Sequence, residues 1–192
     1  MQNIIVETLN KTKSKDILRK EISQLKKKYT PFDLQQKSEE VFSVLEITGA
    51  FAEAQNIFIY HSLSDEVSTG RFIDKWKSSK NFYVPVVTGD ELVFRPCAPD
   101  EDCNISSMGI KEPRGADFTG LSLIDMIIVP GVAFDRKMNR MGRGKGYYDR
   151  FLPKLKAIKV GVCFDFQLLD SLPYNDHDVK MDMIVSENDL IW

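Results

Sequence analysis

One short segment constrains the fold of this 192-residue chain more than any other, the run DMIIVP at Asp125–Pro130. The residues from Met126 to Val129 are all apolar, and a proline follows them directly. A run this short, with no alternation between apolar and polar positions, is typical of a strand in a parallel sheet that is covered on both faces. The segment therefore predicts an α/β fold.

Strands and helices alternate along the rest of the chain. The spacing of apolar residues and the stop signals predict helices over 13–29, from Pro31 to a stop at Gly49, over Ser68–Trp76 and over Tyr147–Lys156. Short apolar runs predict further strands at Asn56–His61, Phe82–Val87, Leu92–Arg95, Lys159–Phe164 and Asp182–Ser186. The stretch from Pro96 to Leu123 is rich in Pro, Gly and Asp, which predicts an irregular loop. This order of elements favours a layered α/β protein.

Composition and charge restrict the class of protein. The 26 Lys and Arg residues against 28 Asp and Glu residues give a net charge of −2. Such a chain is a poor general nucleic-acid coat, because neutralising phosphates requires a basic surface. No run approaches the roughly 20 apolar residues of a membrane helix, and the N-terminus has no secretory signal. We expect a single domain over residues 1–192, monomeric and cytoplasmic, that binds neither nucleic acid nor membrane.

The segment after DMIIVP concentrates positive charge around glycines. Between Asp135 and Arg150 there are six basic residues and two acidic ones, a local charge of +4. Gly142, Gly144 and Gly146 alternate through this run, and alternate glycines let backbone N–H groups approach an anion closely. The N-terminus of the following helix would add a positive dipole end. A glycine-rich loop after a strand is also where open α/β sheets bind ligands.

This loop matches neither of the two common phosphate motifs. A P-loop requires GxxxxGK followed by Ser or Thr, whereas Lys145 is followed by Gly146. The dinucleotide motif GxGxxG fails because the glycines run GxGxG. The competing interpretation is a solvated basic turn, although like charges at this density repel one another unless an anion is present.

Other residues are candidates for the same site. Asp149 and Asp182 are suited to a magnesium-phosphate site, since Mg²⁺ takes one or two carboxylates together with phosphates and waters. Lys15 and Arg19 lie one helical turn apart, a spacing that suits a shared phosphate. His61 follows a predicted strand, with Glu66 five residues further on. Taken singly, each of these residues also suits a solvated or purely structural role.

These segments together resemble the 5-formyltetrahydrofolate cyclo-ligase family. The most specific match is PGVAFDRKMNRMGRGKGYYDRFL at Pro130–Leu152. Supporting matches, in the same order along the chain, are KDILR at Lys15–Arg19, YHSLSDEVST at Tyr60–Thr69, MGIKEP at Met108–Pro113 and NDHDVKMDMIVSEN at Asn175–Asn188. The resemblance implies a three-layer α/β/α sandwich with a mostly parallel central sheet.

The resemblance also implies an activity and a set of site residues. The implied reaction is the ATP- and Mg²⁺-dependent cyclisation of 5-formyltetrahydrofolate to 5,10-methenyltetrahydrofolate through a phosphorylated formyl group. The residues it places at ATP are Lys15, Arg19, Arg140, Met141, Gly142, Arg143, Gly144, Lys145, Gly146, Tyr147 and Tyr148. Of these, Arg143 and Lys145 would be catalytic. The folate would contact His61, Glu66 and the loop from Arg143 to Tyr147, and Mg²⁺ would bind Asp149 and Asp182.

Two alternatives remain open from the sequence. A sugar-phosphate isomerase or a CoA-transferase-like protein would bind phosphate in a similar fold without ATP turnover. An RNA-binding or regulatory module would use the basic loop and its two tyrosines, which the net charge of −2 disfavours.

Overall fold

The computed structural model describes residues 14–97, 102–105, 109, 111–175 and 178–192. The strands are β1 (Asn56–Phe58), β2 (Asn81–Thr88), β3 (Glu91–Pro96), β4 (Cys103–Ile105), β5 (Lys111–Pro113), β6 (Met126–Pro130), β7 (Ala133–Asp135), β8 (Arg140–Met141), β9 (Ile158–Val162), β10 (Leu168–Leu169), β11 (Met183–Val185) and β12 (Leu190–Ile191). The α-helices are α1 (Lys15–Lys26), α2 (Pro31–Glu46), α3 (Gly49–Glu53), α4 (Gly70–Trp76) and α5 (Tyr147–Phe151).

The centre of the molecule is a mostly parallel sheet. In the part of the chain that the structure describes, seven strands pair in the order β12-β11-β9-β6-β1-β2-β3. The pairs from β2 through β1, β6 and β9 to β11 are parallel, whereas β3 and β12 are antiparallel edge strands. Strand β6 lies in the middle, and Met126–Val129 is wholly buried, as its uninterrupted apolar run predicts. The α/β fold with a mostly parallel sheet is confirmed.

Helices α2, α3 and α4 cover one face of this sheet. Their apolar side chains share a core with alternate residues of the strands, and Phe42 of α2 stacks on Phe72 of α4 with ring centroids 4.1 Å apart. The start of α2 is fixed locally. Thr30 Oγ1 accepts from the N–H of Asp33 (3.1 Å), and the Asp33 carboxylate accepts from the N–H of Thr30 (2.8 Å). This reciprocal capping, with Pro31 in the first turn, sets the helix boundary that the sequence predicts.

The other face is covered by α5, the 3₁₀ turn that follows it, and a small sheet of order β10-β7-β8. Phe58 of β1 stacks on Phe94 of β3 here, with centroids 4.0 Å apart. Phe134 of β7 is fully buried and lies against Gly161 of β9. Three layers result, as expected, but the third layer contains a sheet as well as the short helix α5.

Several element boundaries differ from the sequence predictions. Gly49 begins α3 instead of ending α2, because Thr48 caps the next helix through the N–H of Phe51. The predicted helix from Tyr147 ends at Phe151 and continues as a 3₁₀ turn, Leu152–Lys154, which contains Pro153. The stretch predicted as an irregular loop contains the β4–β5 hairpin.

Parts of several predicted features lie outside the described residues, among them Lys13 at the start of the first helix, Met108 and Ile110 of the MGIKEP segment, and residues 176–177 of the NDHDVKMDMIVSEN segment. Among the helices that the structure describes, none combines the length and the apolarity needed to cross a membrane.

Candidate functional site

A cavity of about 750 Å³ lies at the carboxyl edge of the parallel sheet. Tyr60 and His61, which follow β1, line it together with Pro130 and Gly131, where β6 ends. Open α/β sheets bind ligands at this edge, because the loops that leave adjacent strands converge there. The cavity is where DMIIVP and the glycine-rich segment predicted a site.

The glycine-rich loop forms one wall of the cavity, and its backbone conformation requires glycine. Gly144 and Gly146 have φ of +96° and +70°, values that side-chain-bearing residues rarely adopt. A Cβ on Gly142 would lie 2.8 Å from Nη1 of Arg140, and one on Gly146 would lie 2.7 Å from Nη1 of Arg150. The glycines therefore allow both the turn and the close approach of two guanidinium groups.

Basic side chains of α1 and β8 line the cavity together with those of the loop. Helix α1 contributes Lys15 and Arg19, and Arg19 Nε donates to the Gly142 carbonyl (3.0 Å), which joins α1 to the loop. Arg140 of β8 is buried, and its Nη2 donates to Oδ1 of Asp149 (2.7 Å). These cations converge although Arg19 and the Gly142 carbonyl that it contacts are 123 positions apart in the sequence.

Arg143 is held by two carboxylates from the loop after β1. Its Nη2 donates to Oδ1 of Asp65 (2.6 Å), and its Nε donates to Oε1 of Glu66 (3.1 Å). Partial burial disfavours the guanidinium charge, but the charges of Glu66 and Asp65 outweigh it and raise the pKa of Arg143. Arg143 therefore stays charged next to the cavity.

Another wall of the cavity is apolar. Pro85 and Val87 of β2 and Leu92 of β3 line it, and Tyr147 lies beside them. Tyr148 lies deeper, beneath the Arg140 guanidinium, whose central carbon is 5.4 Å from the ring centroid. Burial, together with the charge of Glu66, raises the pKa of Tyr148, so its hydroxyl stays protonated at neutral pH. A cavity with a basic wall and an apolar wall suits a ligand with a phosphate part and a ring part.

Most of the local charge of +4 is balanced by acids from elsewhere in the chain. Besides the pairs already described, Arg136 pairs with Asp189. The expectation that these charges repel unless an anion is present was therefore wrong. Among the described residues that line the cavity, the Lys145 ammonium makes no ion pair or hydrogen bond, and the buried Nε of Arg140 has no acceptor. The Lys145 ammonium therefore remains available to an anionic ligand.

The structure brings together all but two of the predicted site residues. Those that line the cavity are Lys15, Arg19, His61, Glu66, Arg140, Gly142, Arg143, Gly144, Lys145, Gly146, Tyr147, Tyr148 and Asp149. Met141 is 1% exposed and packs with Leu18 and Ile22 of α1, so its side chain belongs to the core. The helix-dipole contribution is also smaller than expected, since α5 has only five residues.

Asp182 does not lie with Asp149. It immediately precedes β11, and its Oδ2 accepts from the N–H of Lys159 (2.8 Å) at the start of β9. Since β9 and β11 are parallel, Asp182 lies at the amino edge of the sheet, opposite the cavity. The expected pair of carboxylates is therefore not formed by Asp149 and Asp182.

Asp178 is a cavity residue that the sequence reasoning missed. It lines the cavity, and its Oδ2 accepts from Lys15 Nζ (2.5 Å) and from the Asn175 N–H (2.8 Å). Burial acts to raise the pKa of its carboxyl, but these hydrogen bonds outweigh that effect and lower it. The segment NDHDVKMD offers three aspartates, and their spacing alone does not say which of them faces the cavity. Within the described residues, no group of three or more His, Cys, Asp or Glu side chains is placed to hold a metal ion.

The fold and the cavity define an α/β protein with a ligand site at the carboxyl edge of its sheet. The chain belongs to the 5-formyltetrahydrofolate cyclo-ligase family, whose model matches residues 11–187.

Individual relatives agree with the family match. The chain is 36% identical over 138 residues to a 5-formyltetrahydrofolate cyclo-ligase of Haemophilus influenzae, covering 67% of this chain and 74% of the relative. It is 32% identical over 157 residues to a probable 5-formyltetrahydrofolate cyclo-ligase of Schizosaccharomyces pombe, covering 71% and 77%. The NMR structure of a 5,10-methenyltetrahydrofolate synthetase from Aquifex aeolicus superposes with a TM-score of 0.82 at 31% identity, covering 92% of this chain and 91% of that one.

Proposed function

We propose that this protein uses ATP to cyclise 5-formyltetrahydrofolate to 5,10-methenyltetrahydrofolate, with release of ADP and phosphate. One observation carries the proposal: the loop Gly142–Tyr148 lines one cavity together with basic side chains of α1 and β8 and apolar side chains of β2 and β3. The basic wall suits the phosphates of ATP, and the apolar wall suits the ring system of a folate. The names of the relatives support the same substrate and product.

The reaction begins with transfer of the γ-phosphoryl group of ATP to the formyl oxygen of the substrate. The bond from the γ-phosphorus to the bridging oxygen breaks, and ADP is the leaving group. The N10 nitrogen then attacks the activated formyl carbon and loses its proton to solvent. The bond from that carbon to the phosphate oxygen breaks, which closes the ring and releases phosphate. The attack gains from proximity, because both reacting groups belong to one bound molecule.

The protein's part in this chemistry is to place positive charge. Phosphoryl transfer depends mainly on positioned cations and needs no protein nucleophile. We assign Lys15 and Arg19 to the phosphates, and Arg143 and Lys145 to the charge that develops on the transferring group. We assign Glu66, whose side chain is 11% exposed, to the N–H donors of the pterin ring, with His61 beside it.

The cavity also fits Mg²⁺. Asp149 and Asp178 line it, and in the described part of the chain each keeps one carboxylate oxygen without a hydrogen-bond donor. Two carboxylates suffice for Mg²⁺ where phosphates and waters complete its shell. We therefore propose Asp149 with Asp178, in place of the expected Asp182, as the residues that hold the ion. When bound, Mg²⁺ would neutralise charge on the ATP phosphates.

An absorbance assay tests this function. Purified protein with 5-formyltetrahydrofolate, ATP and Mg²⁺ should produce the near-ultraviolet band of the methenyl product, with one ADP released for each molecule formed. Leaving out ATP, or chelating Mg²⁺, should abolish the band, and adding back the missing component should restore it. Failure to form the band with every component present, or its formation without ATP, would contradict the proposal.

An RNA-binding role is the second possibility that the sequence left open. The structure offers little to support it, since Arg140 and Arg143, two of the cations at the cavity, are paired with carboxylates within the chain. Steeply salt-dependent binding of single-stranded RNA, with no folate turnover, would favour that role instead.

A further inference from the structure

The Leu63–Glu66 turn after β1 places two carboxylates side by side, one inside the cavity and one outside it. The turn is closed by the Glu66 N–H, which donates to the Leu63 carbonyl, and by the Leu63 N–H, which donates to Glu66 Oε2, both at 3.1 Å. Glu66 lines the cavity, whereas Asp65 is not among the residues that line it. Both carboxylates contact the same guanidinium, that of Arg143.

Each oxygen of the Asp65 carboxylate accepts a hydrogen bond from a different cationic side chain. Oδ1 accepts from Arg143 Nη2 (2.6 Å), and Oδ2 accepts from Lys26 Nζ (3.2 Å). Lys26 is the last residue of α1, and its side chain is only 7% exposed. Asp65 therefore connects a buried lysine on α1 to the arginine of the glycine-rich loop.

The two carboxylates that hold Arg143, those of Asp65 and Glu66, are not equivalent once a substrate is bound. Glu66 faces the cavity, so donors on a ligand ring compete with Arg143 Nε for its carboxylate. Asp65 lies outside that competition, and its contact with Arg143 is the shorter of the two. In the occupied site Asp65 is thus the carboxylate that still holds the guanidinium in place.

We propose that Asp65 is a positioning residue for the reaction, acting through Arg143 and tying that side chain to α1 by way of Lys26. This inference rests on the proposed function, since it takes the Arg143 charge to stabilise the transferring phosphoryl group. Lys26 restricts the movement of Asp65, because a buried ammonium without a counter-charge is unfavourable.

The test is a set of variants assayed for turnover. Asp65→Asn should lower kcat about tenfold while changing KM for the folate by less than about threefold, because binding contacts remain and charge placement is lost. Asp65→Glu should recover part of kcat. In an Arg143→Ala background, Asp65→Asn should have little further effect, since the residue through which it acts is already absent. Glu39→Gln is the matched control, because Glu39 forms an exposed pair with Arg71 away from the cavity.

A second variant separates positioning from a merely structural role. Asp65→Asn leaves Lys26 buried without its partner, which lowers stability by itself. The double variant Asp65→Asn/Lys26→Met removes the unpaired charge and should recover the melting temperature, yet kcat should stay low. If kcat returns together with stability, or if the Asp65 and Arg143 effects simply add, the positioning role is wrong. A wild-type protein that forms no product contradicts the proposed function itself. If the wild-type protein is active and Asp65→Asn has the same kcat, only the role of Asp65 is contradicted.

Discussion

At the scale of single residues, Gly161 shows how closely the sheet is packed. A Cβ at this position of β9 would lie 2.4 Å from Cε1 of Phe134 and 3.1 Å from Cγ of Met181. Phe134 is fully buried, so its ring has no open space into which it can move. Glycine is required here for the close approach of a ring and not for backbone conformation.

We expect Gly161→Ala to lower the free energy of unfolding by about 1–3 kcal/mol, the usual cost of overpacking a core. Chemical denaturation with a two-state fit measures the change. Gly49→Ala is the control, because nothing lies within 4 Å of the added carbon, and it should be neutral or slightly stabilising. Combining Gly161→Ala with Phe134→Leu should cost less than the sum of the two changes. If Gly161→Ala and Gly49→Ala lower the free energy of unfolding equally, packing against Phe134 is not the cause of the change.

At the scale of elements, α2 illustrates a boundary that local chemistry decides. The Thr30–Asp33 capping box and Pro31 define its start without any help from tertiary contacts. The hydrogen bonds from the backbone and the side chain of Thr30 lower the pKa of the Asp33 carboxyl. The charged form of Asp33 is therefore the one that stabilises the helix.

Stability should depend on pH through this carboxyl. Because its folded-state pKa lies below the unfolded-state pKa of about 3.9, its contribution is present above that pH and is lost as the pH falls through the folded-state pKa. We expect Asp33→Asn to lower the melting temperature at pH 7, with a difference from wild type that narrows below about pH 4. Thermal unfolding at several pH values measures this difference in melting temperature. Asp74→Asn, on the exposed surface of α4, is the control. A difference that stays constant down to pH 3 would rule out the capping carboxylate as its origin.

At the scale of the whole molecule, the net charge of −2 is distributed unevenly. Ion pairs between residues far apart in the sequence determine which cationic side chains remain unpaired and can bind an anionic ligand. Asp65, Glu66, Asp178 and Asp189 neutralise cations that are 53 to 163 residues away in sequence. Lys145 lies in the cavity without such a partner in the described part of the chain. A bound phosphate would therefore stabilise the Lys145 charge more than the charges of the paired cations.

We therefore expect Lys145→Ala to reduce turnover at least about tenfold, which corresponds to roughly 1.4 kcal/mol of lost transition-state stabilisation. Initial rates at saturating ATP and folate, with melting temperatures recorded in parallel, measure the effect. Lys154→Ala serves as the matched control, since that side chain is exposed and pairs with Glu91 at 3.4 Å outside the cavity. Unchanged turnover in Lys145→Ala would remove Lys145 from the mechanism.

The features that could be predicted from the sequence are those that rest on local physics. The uninterrupted apolar run of β6 predicted a buried parallel strand, and the alternating glycines with their cations predicted an anion site after it. Both depend on periodicity or on spacing within a few residues, which the sequence displays directly. The capping of α2 belongs to the same group.

Which distant residues share the cavity could not be predicted, because it depends on the folded arrangement of the whole chain. Asp178 and Asp182 are four residues apart, yet only Asp178 lines the cavity. Asp182 lies at the amino edge of the sheet, because it directly precedes β11, which runs parallel to β9. Asp65 reaches Arg143 across 78 positions, and Lys15 reaches Asp178 across 163. Such pairs depend on strand order and helix placement, which are set by packing of the whole chain and leave no periodic signal in the sequence.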